Sequence, residues 1–92
     1  MTKELLSLSN KYTVEIFSAS WCGGCGVVKR ALAKVGVSYI EKDIDKAEVM
    51  EQASQLGIRG IPVTRILEGD VLVESVVGAT PEAVSRIIEL CS

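Results

Sequence analysis

The alternation of strand-like and helix-like segments, with a Cys-x-x-Cys motif at the first strand-to-helix junction, limits the fold of this chain more than any other feature of its sequence. Residues 11–18 are rich in β-branched and aromatic side chains and predict a first strand. Cys22 and Cys25 follow directly. After them, apolar residues recur at helical spacing until Gly36, a residue type that commonly ends helices.

The rest of the chain continues this alternation and ends in a hairpin and a helix. The patterns predict strands at 37–43, 63–67 and 71–77 and helices at 46–56 and from Thr80 onward. Thr80 suits a helix N-cap, and Pro81 and Glu82 suit the first turn. Because a strand–helix–strand unit is parallel and a hairpin is antiparallel, the order β-α-β-α-β-β-α predicts an α/β fold. It would have a four-stranded mixed sheet with helices on both faces, and residues 2–9 could add a helical turn or two.

Composition and charge argue against several classes of protein. The 92 residues, 48% hydrophobic and 24% charged, suffice for one domain spanning residues 1–92. A net charge of −2 disfavours nucleic-acid binding. The lack of histidine removes histidine catalysis, and three cysteines cannot complete a four-thiolate zinc site. No membrane span or signal peptide is visible. We therefore expect a cytoplasmic monomer with no membrane partner and no bound metal.

The cysteine pair is the predicted active site. A helix N-terminus presents unpaired N–H groups and the positive end of the helix dipole, and both favour a thiolate at Cys22. Cys25 lies one turn further along on the same side, so it could resolve a mixed disulfide formed at Cys22. Two ordinary core cysteines and a two-thiolate metal site remain alternatives. The first is disfavoured because Trp21 and the glycines of the motif suit a quiet helix start poorly.

Two separate segments resemble the thioredoxin superfamily, and the resemblance extends from about Tyr12 to Leu90. The segment Trp21-Cys22-Gly23-Gly24-Cys25 is similar to the thioredoxin Trp-Cys-Gly-Pro-Cys motif. Residues 57–64, Gly-Ile-Arg-Gly-Ile-Pro-Val-Thr, are similar to the thioredoxin Gly-Ile-Arg-Gly-Ile-Pro-Thr segment. The resemblance implies a thioredoxin-like fold.

The same resemblance implies roles for individual residues. In that family the proline of the second segment is cis and faces the cysteine pair, which would be Pro62 here. Ile61 would offer its backbone N–H and C=O to an extended substrate. Trp21 and Gly78 would border the substrate groove, and Gly23 and Gly24 would form the active-site loop between the cysteines.

The first half of the chain resembles glutaredoxins instead, at residues 14–17, 29–32 and 36–39. Only about eleven residues precede the strand that contains Val14, fewer than the additional strand and helix of a full thioredoxin need. Glutaredoxins hold glutathione with a lysine, an aromatic residue and a Gly-Gly-x-Asp segment. The matching positions here are Ala19, Gly24 and residues 78–81, so the charged grip on glutathione is missing.

Thioredoxins also place a buried aspartate six residues before the first cysteine, where this chain has Ile16. Glu15 or Glu41 could accept the proton of Cys25 in its place, although each is more simply a solvated strand residue. Lys29 and Arg59 could supply positive charge near the thiolate or could lie on solvated faces. Cys91 is expected to be a small buried core residue, with an exposed third thiol as the alternative.

Together these features predict a protein-disulfide reductase, a thiol-disulfide oxidoreductase in which Cys22 attacks and Cys25 resolves. It would need no bound cofactor, since the cysteine pair is the redox group. Its partners would be disulfide-containing proteins and an electron donor, either a thioredoxin reductase, which the missing glutathione features favour, or glutathione. Alternatives are a glutathione-dependent glutaredoxin, a metal or iron–sulfur module on the two cysteines, and a binding module without redox turnover.

Overall fold

The computed structural model describes residues 12–91, which form a four-stranded mixed sheet and three helices. The strands are β1 (Thr13–Ser18), β2 (Ile40–Asp43), β3 (Val63–Glu68) and β4 (Val71–Val77), and the helices are α1 (Gly23–Lys34), α2 (Ala47–Gln55) and α3 (Pro81–Cys91). The strand order is β2-β1-β3-β4, with β1 and β2 parallel and the remaining pairs antiparallel. The predicted architecture is confirmed, while the turns considered for residues 2–9 lie outside the described residues.

The second strand is shorter than the sequence pattern predicts. It begins at Ile40, so the prediction of a strand from Val37 is wrong for its first three residues. Val37 instead closes α1, because its N–H donates to the carbonyl of Leu32 at 2.9 Å. Gly36 makes this turn with a φ of +77°, a conformation that glycine adopts without steric penalty. The other observed boundaries lie within two residues of the predicted ones, and the strand at 71–77 matches at both ends.

The sheet is covered on both faces, as predicted. On one face, α1 and α3 pack on a cluster that includes Ile16, Leu32 and Ile87. On the other face, Ala53 of α2 packs against Phe17. Successive strand residues point to opposite faces, so the consecutive residues Ile16 and Phe17 enter different clusters, and neither has exposed surface. Each such side chain contributes about 1.5–3 kcal/mol through its burial.

The last helix begins as its sequence predicts. The Oγ1 of Thr80 accepts the Ala83 N–H at 3.1 Å, and Pro81 is the first helical residue. Arg86 of α3 forms an ion pair with Glu74 of β4 at 2.7 Å. The hydrogen bond from Arg86 lowers the pKa of the Glu74 carboxyl. In the part of the chain from residue 12 to 91, no helix is long and apolar enough to cross a bilayer.

Candidate active site

Cys22 is the N-cap of α1, the position between the end of the β1 connection and the first helical residue. Its backbone is extended, with φ −97° and ψ 110°, and its Sγ accepts the backbone N–H of Cys25 at 3.2 Å. α1 has no acidic residue in its first turn. The Cys22 sulfur therefore lies where a helix stabilises an anion, next to a donor that strengthens when the sulfur is a thiolate.

Cys22 and Cys25 form a disulfide, with their Cα atoms 5.3 Å apart. This separation falls within the ordinary range for disulfides. Cys22 is partly exposed, whereas Cys25 has no exposed surface. The two sulfurs are therefore not equivalent. A substrate can reach Cys22 from solvent, while Cys25 can act only on what is already bonded to Cys22.

Pro62 and Gly78 lie on two loops that meet the start of α1. The Ile61–Pro62 peptide bond is cis, as the resemblance implies. The Gly78 N–H donates to the Pro62 carbonyl at 2.9 Å. A Cβ placed on Gly24 would lie 3.5 Å from Pro62 Cδ and 3.3 Å from Ala79 Cβ. Gly24 therefore allows the close approach of three segments around the cysteine pair.

An apolar groove of about 370 Å³ runs beside this junction. Its lining residues come from the active-site loop, the turn after β2, α2 and the segment before Pro62: Trp21, Ile44, Met50, Ala53, Ile58, Arg59, Gly60 and Ile61. Ile61 is half-buried. Within residues 12–91, its backbone N–H and C=O form no turn, loop or cap hydrogen bond with another backbone group. Trp21 and Ile61 both line this groove, whereas Gly78, which was expected to border it as well, does not. Arg59 is an exposed cation on its rim.

Trp21 is held by a residue that the sequence did not single out. Its side chain is 67% exposed, and its Nε1 donates to Asp45 Oδ2 at 3.2 Å. Asp45 follows the end of β2, and its own N–H donates to Asp43 Oδ1 at 2.9 Å in a tight turn. A Trp–Asp pair 24 positions apart leaves no local sequence signal, although the order of elements places the ends of β1 and β2 side by side.

The strand register decides between the two carboxylates considered for the position beside Ile16. Glu15 lies on the opposite face of β1 and pairs with Arg65 at 3.1 Å, so it is not near the Cys25 side of the sheet. Glu41 stands opposite Ile16 in the parallel pair. Ile16 itself is fully buried, so the sheet beneath α1 carries no carboxylate at that position.

Glu41 is held by two donors. Its Oε2 accepts Lys29 Nζ at 2.7 Å and Ser18 Oγ at 3.0 Å. The hydrogen bond from Lys29, followed by that from Ser18, lowers the pKa of the Glu41 carboxyl. Lys29 lies one turn beyond Cys25 on α1, and its ammonium group forms an ion pair with the Glu41 carboxylate.

The third cysteine belongs to the core. Cys91 is 6% exposed and packs in the cluster beneath α1 and α3, as expected, and burial raises the pKa of its thiol. Within residues 12–91, no three cysteine, aspartate or glutamate side chains come together in a group that could hold a metal ion.

Comparison with known proteins agrees with this geometry. A family model described as Glutaredoxin matches residues 14–72. The thioredoxin of Chlorobaculum thiosulfatiphilum is 37% identical over 78 residues, which cover 80% of this chain and 72% of that protein. Thioredoxin-2 of Pyricularia oryzae is 28% identical over 87% of this chain but only 48% of its own length, so the chain spans about half of that relative. The solved structure of oxidised thioredoxin O2 from Arabidopsis thaliana gives a TM-score of 0.72 at 21% identity, covering 96% of this chain and 84% of that one.

The fold and the site together define a small dithiol protein with a cis proline beside its cysteine pair. A glutaredoxin family model covers more than half of the chain, and thioredoxins match it along most of its length. The chain belongs to the thioredoxin superfamily.

Proposed function

We propose that this protein is a thiol-disulfide oxidoreductase that reduces protein disulfides by dithiol exchange. The observation that carries the proposal is the asymmetry of the pair. Cys22 is partly exposed and its Sγ caps α1 by accepting the Cys25 N–H, whereas Cys25 is buried. This arrangement separates an attacking sulfur from a resolving sulfur.

The exchange follows from these positions. The Cys22 thiolate attacks one sulfur of a substrate disulfide, and the other substrate sulfur leaves as a thiolate that takes a proton from solvent. Cys25 then loses its proton and attacks Cys22 Sγ, which releases the second substrate thiol and forms the Cys22–Cys25 disulfide. Two electrons pass to the substrate, and an external reductant must return two electrons to the protein. No bound cofactor enters the cycle.

We propose a thioredoxin reductase as that reductant. The support lies in the positions where a glutaredoxin would hold glutathione. Ala19 is 1% exposed and carries no charge, and Gly24 has no side chain to contact a ligand. Thr80 stands where the carboxylate segment is expected, and its hydroxyl caps α3. With no charged side chain at these positions to hold glutathione, the electrons would come from a protein partner.

A turnover assay with one disulfide protein as substrate tests the proposal by following NADPH consumption. One arm contains thioredoxin reductase, and the other contains glutathione with glutathione reductase. We expect turnover in the first arm only, and none in either arm for Cys22→Ser. If neither arm supports turnover while the wild-type pair still cycles with dithiothreitol, the donor assignment is wrong and the dithiol chemistry stands. A wild-type pair that never cycles would refute the chemistry itself.

A glutathione-dependent enzyme is the second candidate, because the family model that matches residues 14–72 is the glutaredoxin model. Turnover in the glutathione arm alone would establish it. Such a result would mean that glutathione is held without charged side chains at positions 19, 24 and 78–81, by groups such as the Ile61 backbone or Arg59.

We further propose that the protein works as a monomer in a reducing compartment such as the cytoplasm. The Cys22–Cys25 disulfide can return to the dithiol state only where an electron donor is present. Trapping the thiols in cells with an alkylating reagent would show mostly reduced protein, and a mostly oxidised population would contradict this placement.

A further inference from the structure

The core beneath α1 contains a buried polar side chain that is unpaired within the described part of the chain. Thr64 of β3 has no exposed surface, and its Oγ1 forms no hydrogen bond with any residue from 12 to 91. Buried hydroxyls are almost always hydrogen-bonded, because leaving one unpaired forfeits the hydrogen bonds it made with water. A valine would fill nearly the same volume without this loss. The hydroxyl therefore calls for an explanation.

The register of the sheet places Thr64 in the middle of the face that α1 covers. It stands opposite Ile16 of β1 and opposite Val76 of β4. Both neighbours pack in one cluster with Val28 of α1. Thr64 therefore points toward the buried side of the helix that carries the cysteine pair.

The position of Thr64 relative to α1 follows from that of Pro62, which lies two residues earlier in the chain. Pro62 Cδ lies 3.5 Å from where a Cβ of Gly24 would be, so this end of β3 begins beneath the first turn of α1. Two residues further along the strand advance by about 6.6 Å. The buried residues of α1 that come next are Cys25 and Val28, and both are at most 1% exposed. Thr64 is accordingly the polar side chain of β3 beneath the stretch of α1 between Cys25 and Val28.

Whether the cysteine pair is oxidised or reduced determines which hydrogen bond the Thr64 hydroxyl can form with Cys25 Sγ. In the disulfide, Cys25 Sγ has no proton and is a weak acceptor. When the S–S bond is reduced, the two sulfurs separate, and the buried Cys25 becomes a thiol that can donate or a thiolate that accepts strongly. Ser18, the other buried hydroxyl on this face, already donates to Glu41. Ile16 offers no polar group.

We propose that the Thr64 hydroxyl is the hydrogen-bond partner of Cys25 Sγ in the dithiol state and that this bond, absent from the disulfide, biases the pair toward the dithiol. The inference rests on the proposed dithiol exchange, but not on which reductase serves it. It makes Thr64 a residue that tunes how strongly the protein reduces its substrates. The tuning comes from β3, a part of the chain distant in sequence from the cysteine motif.

Thr64→Val tests the proposal because it removes the hydroxyl and keeps the shape. The measurement is the ratio of dithiol to disulfide protein at equilibrium in glutathione buffers of fixed composition, read by alkylation and mass spectrometry. We expect the ratio to fall about tenfold, which corresponds to a reduction potential about 30 mV more negative, since a tenfold change equals 29.6 mV for two electrons. Thr64→Ser keeps the hydroxyl and is expected to stay within twofold of wild type.

A second readout separates this role from simple packing. We expect Thr64→Val to leave the disulfide form at least as resistant to urea as wild type, because an unpaired hydroxyl is removed, and to weaken the dithiol form. Ile66→Val, which trims the next inward residue of β3, is expected to weaken both forms alike and to leave the redox ratio unchanged. The proposal is overturned if the Thr64→Val ratio stays within twofold of wild type. It is equally overturned if Thr64→Ser shifts the ratio as far as Thr64→Val, or if both forms of Thr64→Val change stability in parallel.

Discussion

The backbone N–H of Cys25 donates to the Sγ of Cys22 at 3.2 Å, so the sulfur of one cysteine is held by the amide of the other. A serine or aspartate oxygen usually fills this capping position at the start of a helix. Here a sulfur fills it, and the donor strengthens when that sulfur carries charge. The first turn of α1 is thus built to favour the reactive form of Cys22.

Cys22 is partly exposed and Cys25 is buried, and this difference predicts different defects for Cys22→Ser and Cys25→Ser. Cys22→Ser should abolish reduction of a protein disulfide, because the solvent-accessible nucleophile is lost. Cys25→Ser should still attack the substrate but should stop at the mixed disulfide, since no thiol remains to resolve it. Mass spectrometry of each variant after reaction with a disulfide protein measures this directly.

The outcome that would contradict the assignment is a stable mixed disulfide on Cys22→Ser. Attack would then come from the buried Cys25, and the difference in exposure between the two sulfurs would not determine the order of events. Cys91→Ala, which leaves the pair intact, serves as the control for adducts on the third thiol.

Gly23 and Gly24 are a matched pair for measuring how tightly the loops pack on α1. A Cβ on Gly23 would meet nothing within 4 Å, so Gly23→Ala should raise the free energy of unfolding by about 0.5–1 kcal/mol through helix propensity alone. A Cβ on Gly24 would stand 3.3 Å from Ala79 Cβ. Gly24→Ala should therefore gain less than Gly23→Ala, or lose stability. Urea unfolding of the disulfide forms provides the comparison.

The cause is checked by repeating both changes in an Ala79→Gly background. Removing the Ala79 methyl group should bring the effect of Gly24→Ala up to that of Gly23→Ala, because the crowded contact is gone. An unchanged gap between the two alanine variants would mean that Ala79 is not what limits side chains at position 24.

The order of elements and the cysteine site could be predicted from the sequence because their signals are local. The hairpin strand at 71–77, the Thr80 cap and the helix after Cys22 each depend on neighbours within a few residues. The prediction of a strand from Val37 was wrong because the local signal there fits two structures. An apolar residue after a helix can close that helix instead of starting a strand, and only the Leu32 contact distinguishes the two.

The contacts around the site could not be predicted, because they join residues from different strands. Register alone places Glu41 beside Ile16 and leaves Thr64 opposite it. Strand alternation could have excluded Glu15, which is adjacent to the inward-facing Ile16 and must point the other way. No comparable rule links Trp21 to Asp45, since the length and course of the turn after β2 determine where that carboxylate lies.

The Glu41 carboxylate predicts a pH dependence of stability whose sign can be worked out. Its pKa is lowered in the folded protein, first by Lys29 and then by Ser18. Its contribution is therefore present above the ordinary value of 4.5 and is lost as the pH falls through the lower folded pKa. Because the side chain is 44% exposed, we expect Glu41→Gln to lower the free energy of unfolding by at most about 1 kcal/mol at pH 7.

Urea unfolding of wild type and Glu41→Gln at pH 7 and at pH 3 measures this contribution. The difference between them should shrink at pH 3 and also at high salt, which screens the contact with Lys29. Glu51→Gln removes the same charge from an exposed position of α2 and controls for net charge. A difference that is equal at both pH values would show that the charge of Glu41 does not stabilise the fold.

The contact between Trp21 and Asp45 predicts a variant that affects large substrates more than small ones. Asp45→Ala frees an indole that is 67% exposed and borders the groove, so a protein substrate must order it on binding. We expect KM for a protein disulfide to rise about three- to tenfold, as loss of one hydrogen bond allows, with kcat nearly unchanged. The rate with a small aromatic disulfide should stay within twofold of wild type, since it reaches Cys22 without using the groove.

Asp45→Asn keeps an acceptor for the indole N–H and should behave like wild type, while equal losses on both substrates would place the effect on Cys22. Trp21 is the single tryptophan of the chain, so a change in its fluorescence would report the release of the indole independently of turnover.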